Sequence, residues 1–321
     1  QMCIRDRPIA YYNDGRNWRI LEDCTDYYMI NVSSQVISAA RDVFESDKIW
    51  IPNNWDNKFF GPITLRKGLE QSRNIASVRL IDEVGPPLVV DTAKRMGIKS
   101  RLDPVLSLGL GTSVVTLNEL TSAFGTYANG GIHAESYTVY KVMDMRGNIL
   151  EEHTPRERSV LDQKVNYLII SMLKGVVERG TGARARALRK VSAGKTGTSQ
   201  DFRDLWYIGF TPDLVAGVWM GYDDFHPLGD NLSSSGTIVP LWTLFMQKAL
   251  AKIPSKDFFV PKDIVYMKID SDTGKLALNS CPNITLEAFI RGTEPAEFCD
   301  TDHSAVISEE TNGEAEEEVE N

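Results

Sequence analysis

The alternation of apolar and polar positions is most regular between Asn166 and Arg179, where it predicts a helix. Apolar side chains recur there at intervals of three and four residues, at Ile169, Met172, Leu173, Val176 and Val177. This spacing places them on one face of an amphipathic helix, and Gly180 follows as a stop signal.

Four further helices are predicted from the same periodicity and from capping residues. They run from Thr64 to Gln71, from Ile75 to about Val84, from the capping box Thr116–Glu119 to the pair Gly130-Gly131, and from Leu241 to Ala251. A short polar segment, Ser72-Arg73-Asn74, lies in the break between the first two of these helices.

Short apolar runs bounded by turn residues predict strands. Asp204–Phe210 and Asp213–Gly221 flank a Thr-Pro-Asp turn and are predicted to be consecutive antiparallel strands. Hairpins are also predicted at residues 137–150 and 265–278, whereas residues 8–60 have no regular period and are expected to be irregular.

These elements predict an α/β protein of the α+β type, in which helices flank an antiparallel sheet of consecutive strands. A parallel doubly wound sheet is not expected, because no glycine-rich phosphate loop follows a strand. The chain of 321 residues is 42% hydrophobic and 25% charged, which suits one large or two modest globular domains.

The charge distribution bears on nucleic-acid binding and on the C-terminal residues. A net charge of −9 argues against a general nucleic-acid binder. Seven of the thirteen residues from Glu309 to Asn321 are Glu, so residues 306–321 are expected to form a disordered acidic tail.

Neither a membrane span nor a secretory signal can be identified in the sequence. No run of ~18 apolar residues occurs. The chain begins with Gln, and residues 1–7 are interpreted as a doubtful leader, with any signal or anchor expected upstream.

The cysteines and histidines leave their roles open. Cys281 and Cys299 lie 18 residues apart in a loop-rich segment and would suit a disulfide in an exported protein, but two buried thiols fit equally well. The four histidines lack metal-ligand spacing, so neither a metal nor a cofactor is expected.

Candidate chemistry is concentrated in Lys195-Thr196-Gly197-Thr198, just before the two predicted strands. Lys195 supplies a positive charge suited to a carboxylate. Thr196 and Thr198 share one face of a strand, and Gly197 would let a ligand backbone approach closely. Taken alone, the segment is better interpreted as the beginning of an ordinary strand.

Ser72 and Asn74 form a second candidate pair. In the break between two helices both side chains can face one cleft, where a hydroxyl can pass a proton between a lysine ammonium and a leaving nitrogen. The Asn amide can orient that lysine or bind a substrate amide. The alternative is that Ser72 and Asn74 simply cap the two helices.

With their surroundings, these residues resemble the class A penicillin-binding proteins, which are bifunctional peptidoglycan synthases with a glycosyltransferase and a transpeptidase domain. The resemblance covers residues 50–300 and rests on Gly61-Pro-Ile-Thr-Leu-Arg66 before Ser72-Arg-Asn74, Ser107-Leu-Gly-Leu-Gly-Thr112, Tyr127-Ala-Asn-Gly-Gly131, Gly180-Thr-Gly-Ala-Arg184, Ala193-Gly-Lys-Thr-Gly-Thr-Ser-Gln-Asp201, Asp204-Leu-Trp-Tyr-Ile-Gly-Phe210 and Glu287-Ala-Phe-Ile-Arg-Gly-Thr-Glu-Pro295.

The resemblance implies an N-terminally truncated penicillin-binding/β-lactamase-like fold and a D,D-transpeptidase that passes through an acyl-serine intermediate. Ser72 and Asn74 match the family's second motif. The third motif is matched by Lys195, Thr196 and Gly197, with the N–H of Thr198 as half of the oxyanion hole and the Thr198 hydroxyl on the substrate carboxylate. Ser199 is grouped with Thr196 and Gly197 as substrate-binding.

The partners implied are peptidoglycan stem peptides, β-lactams and envelope regulatory proteins. The full-length protein is expected at the periplasmic face of the bacterial inner membrane, anchored upstream. The resemblance divides the chain into a transpeptidase domain at 8–252 and a C-terminal extension with a short hairpin at 253–305.

The family's first motif, a nucleophilic Ser-x-x-Lys before the second motif, is not identified. Ser171-Met-Leu-Lys174 follows the second motif, and Ser171 is expected to face solvent, away from the apolar face of its helix. Ser192-Ala-Gly-Lys195 lies in a predicted strand, where residues three apart face opposite ways. The chain is therefore expected to be inactive as given.

Two other functions remain open. One is a stand-alone D,D-carboxypeptidase or serine β-lactamase relative, which the missing nucleophile disfavours. The other is a non-catalytic penicillin-fold scaffold, which the intact second and third motifs disfavour. The sequence upstream of this chain would separate the three interpretations.

Overall fold

The computed structural model describes residues 3–6, 9–13, 18–23, 49–229 and 232–299. The predicted acidic tail, residues 306–321, lies outside the described residues. Of the doubtful leader, residues 3–6 are described and form a strand.

The helices within these ranges are α1 (Leu65–Glu70), α2 (Asn74–Val84), α3 (Pro86–Arg95), α4 (Leu117–Ala128), α5 (Gln163–Glu178) and α6 (Val239–Ala249). The strands are β1 (Cys3–Asp6), β2 (Ile9–Asn13), β3 (Trp18–Asp23), β4 (Ile49–Trp50), β5 (Gly61–Thr64), β6 (Ile132–Ala134), β7 (Lys141–Met143), β8 (Ile149–Glu152), β9 (Glu157–Ser159), β10 (Ala193–Thr198), β11 (Asp204–Phe210), β12 (Val215–Gly221), β13 (Ile264–Asp270) and β14 (Ile284–Ile290).

The Lys-Thr-Gly sequence lies on an antiparallel sheet with the strand order β10–β11–β12. Lys195 pairs with Ile208 of β11, and Trp206 of β11 pairs with Trp219 of β12. Because β10 is at the end of this order, one side of its backbone faces away from the sheet in the described part of the chain.

Helices cover both faces of this sheet, which explains the nearly continuous apolar run in β11. Leu205 and Tyr207 pack in one cluster with Trp242 of α6, whose ring meets that of Tyr207 edge-on at 5.1 Å. Phe210 packs on the other side with Tyr127 of α4 and with residues of α5. Alternate strand residues point to opposite faces, so each face of β11 contributes to a separate core.

All five predicted helices are confirmed. The helix α5 begins three residues earlier than predicted because Asp162 caps it, accepting hydrogen bonds from the N–H groups of Lys164 and Val165. The capping box at Thr116 and Glu119 is also present. The helix α3 is an addition: its two leading prolines suggest a break in the sequence, yet proline is compatible with the first helical turn.

Two strand predictions need correction. Residues 8–60 are not uniformly irregular, because β2 pairs with both β3 and β4. These strands of two to six residues are too short for a period to be visible in the sequence. The hairpin predicted at 137–150 is confirmed as the pair β7–β8.

The hairpin predicted at 265–278 is wrong in its second strand. Beyond the turn, Leu276 makes only a single bridge to Ile269. The full partner of β13 is β14, which pairs along seven residues and buries Ala288 and Phe289. Burial of these apolar side chains favours the distant strand over the local one. The sulfurs of Cys281 and Cys299 are bonded to each other across this segment.

Candidate active site

The break between α1 and α2 holds Ser72 in an unusual backbone conformation. Ser72 has φ +56°, in the left-handed region that non-glycine residues rarely adopt. Its N–H donates to the carbonyl of Leu69, and the next N–H, of Arg73, donates to Gly68, so the turn is fixed by backbone hydrogen bonds. Strained residues of this kind concentrate at functional sites.

Arg73 lies between Ser72 and Asn74, and its buried side chain stabilises this turn. Its guanidinium donates to both carboxylate oxygens of Asp56, at 3.0 and 2.9 Å. The same guanidinium lies 4.6 Å from the ring centre of Phe60. Sequence reasoning did not assign Arg73 a role, since its partners lie before the motif in a segment without a periodic pattern.

Lys195 and Ser72, 123 residues apart in sequence, are in direct contact. The Nζ of Lys195 donates to the Ser72 hydroxyl at 2.8 Å and to the carbonyl of Thr196 at 3.0 Å. Among the described residues no carboxylate forms an ion pair with Lys195. Burial without such a partner lowers the pKa of Lys195 to about 8. The contact therefore joins a hydroxyl to an ammonium that gives up its proton more readily than an ordinary lysine.

The two threonines of the predicted motif have different partners. The hydroxyl of Thr196 is 2.7 Å from that of Thr181, whose N–H donates to the carbonyl of Glu70 at the end of α1. The hydroxyl of Thr198 is 2.9 Å from that of Ser234. Thr196 thus links β10 to the helix that precedes Ser72.

Asn74 and Ser199 are not hydrogen-bonded to the other predicted site residues. The side-chain amide of Asn74 donates to the carbonyl of Asn53 at 2.8 Å. The hydroxyl of Ser199 accepts from the N–H of Asp204 at 2.7 Å, within the turn between β10 and β11. Gly197 packs closely inside the sheet, because an added Cβ would lie 3.3 Å from the Cβ of Trp206.

Both Ser-x-x-Lys sequences are unsuited to a nucleophile in this structure. The prediction that Ser171 faces solvent is wrong: its hydroxyl accepts from the Arg66 guanidinium at 2.8 Å, because that buried side chain reaches across to α5. Lys174 instead pairs with Asp257 at 2.9 Å. Ser192 is buried, and its hydroxyl has no hydrogen-bond partner among the described residues.

A buried charge cluster lies behind the site, at the start of α1. The Arg66 guanidinium donates to both carboxylate oxygens of Glu287 on β14, and it also lies 3.4 Å from a carboxylate oxygen of Glu70. Burial alone would lower the pKa of Arg66, but the hydrogen bonds and charge of Glu287 outweigh burial and raise it. From the sequence, Glu287 was recognised only as part of the segment 287–295, which resembles the family.

Two family models match this chain. The family model described as "Penicillin binding protein transpeptidase domain" matches residues 28–223, more than half of the chain. The chain therefore belongs to the penicillin-binding protein transpeptidase family, a family of serine-type enzymes. A second model, "Penicillin-binding protein 1A, C-terminal domain", matches residues 260–304.

The relatives and the solved structures are consistent with this assignment. The chain is 38% identical over 258 residues to Penicillin-binding protein 1A of Aquifex aeolicus, covering 80% of this chain and 35% of that protein. It is 31% identical to the Pseudomonas aeruginosa protein of the same name, covering 76% and 36%. The chain thus spans about a third of the length of these curated relatives.

The crystal structure of Penicillin-Binding Protein 1A from Haemophilus influenzae superposes with a TM-score of 0.77 at 26% identity, over 93% of this chain and 46% of that one. The predicted α+β penicillin-binding fold is thereby confirmed. In the described part of the chain, none of the helices has the length and apolar character that crossing a bilayer requires.

Proposed function

We propose that this chain is the distal part of a D,D-transpeptidase domain that cross-links peptidoglycan stem peptides and is acylated by β-lactams. The observation that carries the proposal is the 2.8 Å hydrogen bond between Lys195 and Ser72, which joins the second and third family motifs. A lysine and a serine hydroxyl in this arrangement can perform the proton transfers of amide cleavage without a histidine.

In the proposed reaction the serine of the first family motif attacks the carbonyl carbon of the terminal D-Ala–D-Ala amide, and its hydroxyl proton passes to the lysine of the same Ser-x-x-Lys motif. The amide C–N bond breaks, and the leaving D-Ala nitrogen takes a proton through Ser72 from the ammonium of Lys195. An amine of a neighbouring peptidoglycan strand then attacks the acyl-serine ester, and its proton returns through Ser72 to Lys195. The acyl C–O bond breaks, and the serine oxygen recovers its proton from the first-motif lysine. Asn74 keeps an amide oxygen that accepts no hydrogen bond from the described residues and is available to a substrate N–H.

Substrate binding is proposed along the open edge of β10, with Thr196, Gly197 and Ser199 at the edge and the Thr198 hydroxyl at the terminal carboxylate. An extended peptide can add to such an edge as a further strand. The Thr198 N–H serves as one oxyanion donor, where loss of a single donor typically costs about 10²–10³ in rate.

We propose that the attacking serine is not among these 321 residues, because neither Ser-x-x-Lys sequence has a serine and lysine in contact. The chain alone would then be inactive. The whole protein is proposed to carry a glycosyltransferase domain and a membrane anchor, to act at the periplasmic face of the inner membrane, and to meet envelope regulatory proteins. The bonded pair Cys281–Cys299 supports an oxidising compartment.

Fluorescent penicillin tests the proposal on denaturing gels. We expect the full-length gene product to acquire one covalent label that unlabelled penicillin blocks, and the 321-residue chain to acquire none. Absence of label on the full-length product would overturn the transpeptidase assignment. Label on the short chain would overturn the assignment of the nucleophile, with Ser171 the first serine to map. Continuous turnover of a chromogenic cephalosporin would instead indicate a β-lactamase.

A further inference from the structure

Ser234 is a buried serine that belongs to none of the three motifs, yet it contacts the strand that carries the oxyanion donor. It lies in the turn before α6, and its residue is 1% exposed. The Ser234 hydroxyl accepts from the N–H of Trp206 at 3.2 Å, donates to the carbonyl of Gly197, and lies 2.9 Å from the Thr198 hydroxyl. The hydroxyl therefore bridges β10 and β11 at a single residue pair.

The hydrogen-bond pattern between β10 and β11 shows which peptide group the Ser234 hydroxyl holds. The N–H of Ser199 donates to the carbonyl of Asp204 on β11, at 3.0 Å. In an antiparallel ladder the neighbouring residue, Thr198, must point its N–H the other way, towards the open edge of β10. The carbonyl of Gly197 and the N–H of Thr198 are two ends of one planar trans peptide. By fixing the carbonyl end, Ser234 fixes the direction of the N–H end.

The protons of the two hydroxyls follow from the same contacts. Ser234 has one proton and donates it to Gly197, so in the 2.9 Å contact the Thr198 hydroxyl is the donor; a bound substrate carboxylate would accept this Thr198 proton in place of Ser234. A hydrogen bond accepted by a peptide carbonyl also polarises that peptide and strengthens its N–H as a donor. Ser234 thus acts on Thr198 both through the main chain and through the side chain.

We propose that Ser234 is a positioning residue that aims and strengthens the Thr198 N–H as an oxyanion donor. The proposal rests on the proposed function, because it requires that Thr198 serve an acylation reaction. Ser234 itself touches no reacting atom. Its removal would leave the Gly197 carbonyl and the Trp206 N–H without this partner in a buried site, and would free the peptide plane to tilt.

The test compares variants of the full-length gene product in acylation by a β-lactam. We expect Ser234→Ala to lower the second-order acylation rate by about tenfold, less than direct removal of an oxyanion donor. Infrared spectroscopy of the acyl-enzyme should show the ester carbonyl stretch at higher frequency, because a weaker donor polarises it less. A purely structural role would not move that frequency in the molecules that remain folded.

Ser233→Ala is the matched control, since the Ser233 hydroxyl caps the same turn by accepting from the Gly236 N–H and makes no hydrogen bond to β10 in the described part of the chain. It should leave both rate and frequency unchanged. If Ser234→Ala does not fold, Ser234→Cys keeps a weak donor in nearly the same volume and should give intermediate values. Wild-type rate and frequency in a folded Ser234 variant would overturn the inference. Failure of the wild type to acylate would overturn the proposed function instead.

Discussion

Arg66 is buried and Lys195 is half-buried, and their surroundings move the pKa values of these two cations in opposite directions. Arg66 is held by the carboxylates of Glu287 and Glu70, and its pKa is raised. Lys195 has a hydroxyl and a carbonyl as partners, and its pKa is lowered to about 8. A paired buried cation keeps its charge and joins structural elements, whereas a desolvated, unpaired one is prepared to exchange a proton.

The two clusters are connected through α1, which begins beside Arg66 and ends just before Ser72. Glu287 holds the start of this helix from the C-terminal strand β14, and Thr181 holds its end through the carbonyl of Glu70. The paired strands β13 and β14 therefore support the turn that presents Ser72, although they contribute no residue to the candidate site.

The largest effect is expected for Lys195→Ala in the full-length gene product. Loss of the proton donor should reduce the rate of penicillin acylation by about 10²–10⁴-fold. The free energy of unfolding should not fall, because a desolvated charge is removed. Lys174→Ala, which changes the lysine of the rejected Ser-x-x-Lys sequence, should leave acylation unchanged. Equal acylation rates for Lys195→Ala and wild type would contradict the proposal that Lys195 donates a proton in the reaction.

The second prediction is that Glu287→Gln destabilises the fold while sparing the chemistry. Breaking a buried ion pair and leaving Arg66 with an unbalanced charge typically costs about 3–5 kcal/mol. Urea unfolding should show this loss, with a near-normal acylation rate per folded molecule. The matched control is Asp272→Asn, which breaks the more exposed 3.3 Å pair with Lys67 and should cost less than about 1 kcal/mol. Equal costs for the two variants would contradict the structural role of Arg66.

A third prediction concerns the disulfide that encloses β14, the strand that carries Glu287. Replacing both Cys281 and Cys299 with Ser should lower the free energy of unfolding by about 3 kcal/mol, by the chain-entropy estimate for a loop of this length. Free-thiol titration of the unfolded wild-type protein should detect neither of these cysteines. Detection of Cys281 and Cys299 as reactive thiols would mean that the disulfide does not form.

A fourth prediction concerns the pH dependence of stability. The folded pKa of Lys195, about 8, lies below the unfolded value of about 10.4. Between these two values the unfolded chain binds more protons, so this group makes stability rise with pH. Lys195→Met should therefore be more stable than wild type below pH 8, with a difference that shrinks towards pH 10. A difference that does not change with pH would contradict the lowered pKa.

The sequence was sufficient for features that depend on local pattern. The helix at Asn166–Arg179, the capping box at Thr116 and the break that contains Ser72 all follow from spacing, and the structure confirms them. Lys195 was identified because a short motif and its apolar surroundings agreed. These features depend on neighbours within a few residues, which a sequence displays directly.

The features that the sequence did not predict depend on distant partners. The pair Arg66–Glu287 joins residues 221 apart, and β14, which buries Ala288 and Phe289, takes the place of the local partner expected for β13. Ser234 lies in a run of three serines, and no spacing distinguishes the one that bridges β10 and β11. Such pairings are decided by burial and charge in the folded chain.

The most direct test of the account is the titration of the Lys195 side-chain nitrogen by heteronuclear NMR, assigned by comparison with Lys195→Met. The account predicts a midpoint near pH 8, together with acylation of the full-length gene product that declines as the ammonium loses its proton. A midpoint near the ordinary lysine value of about 10.4 would contradict the claim that this site desolvates its cation for proton transfer.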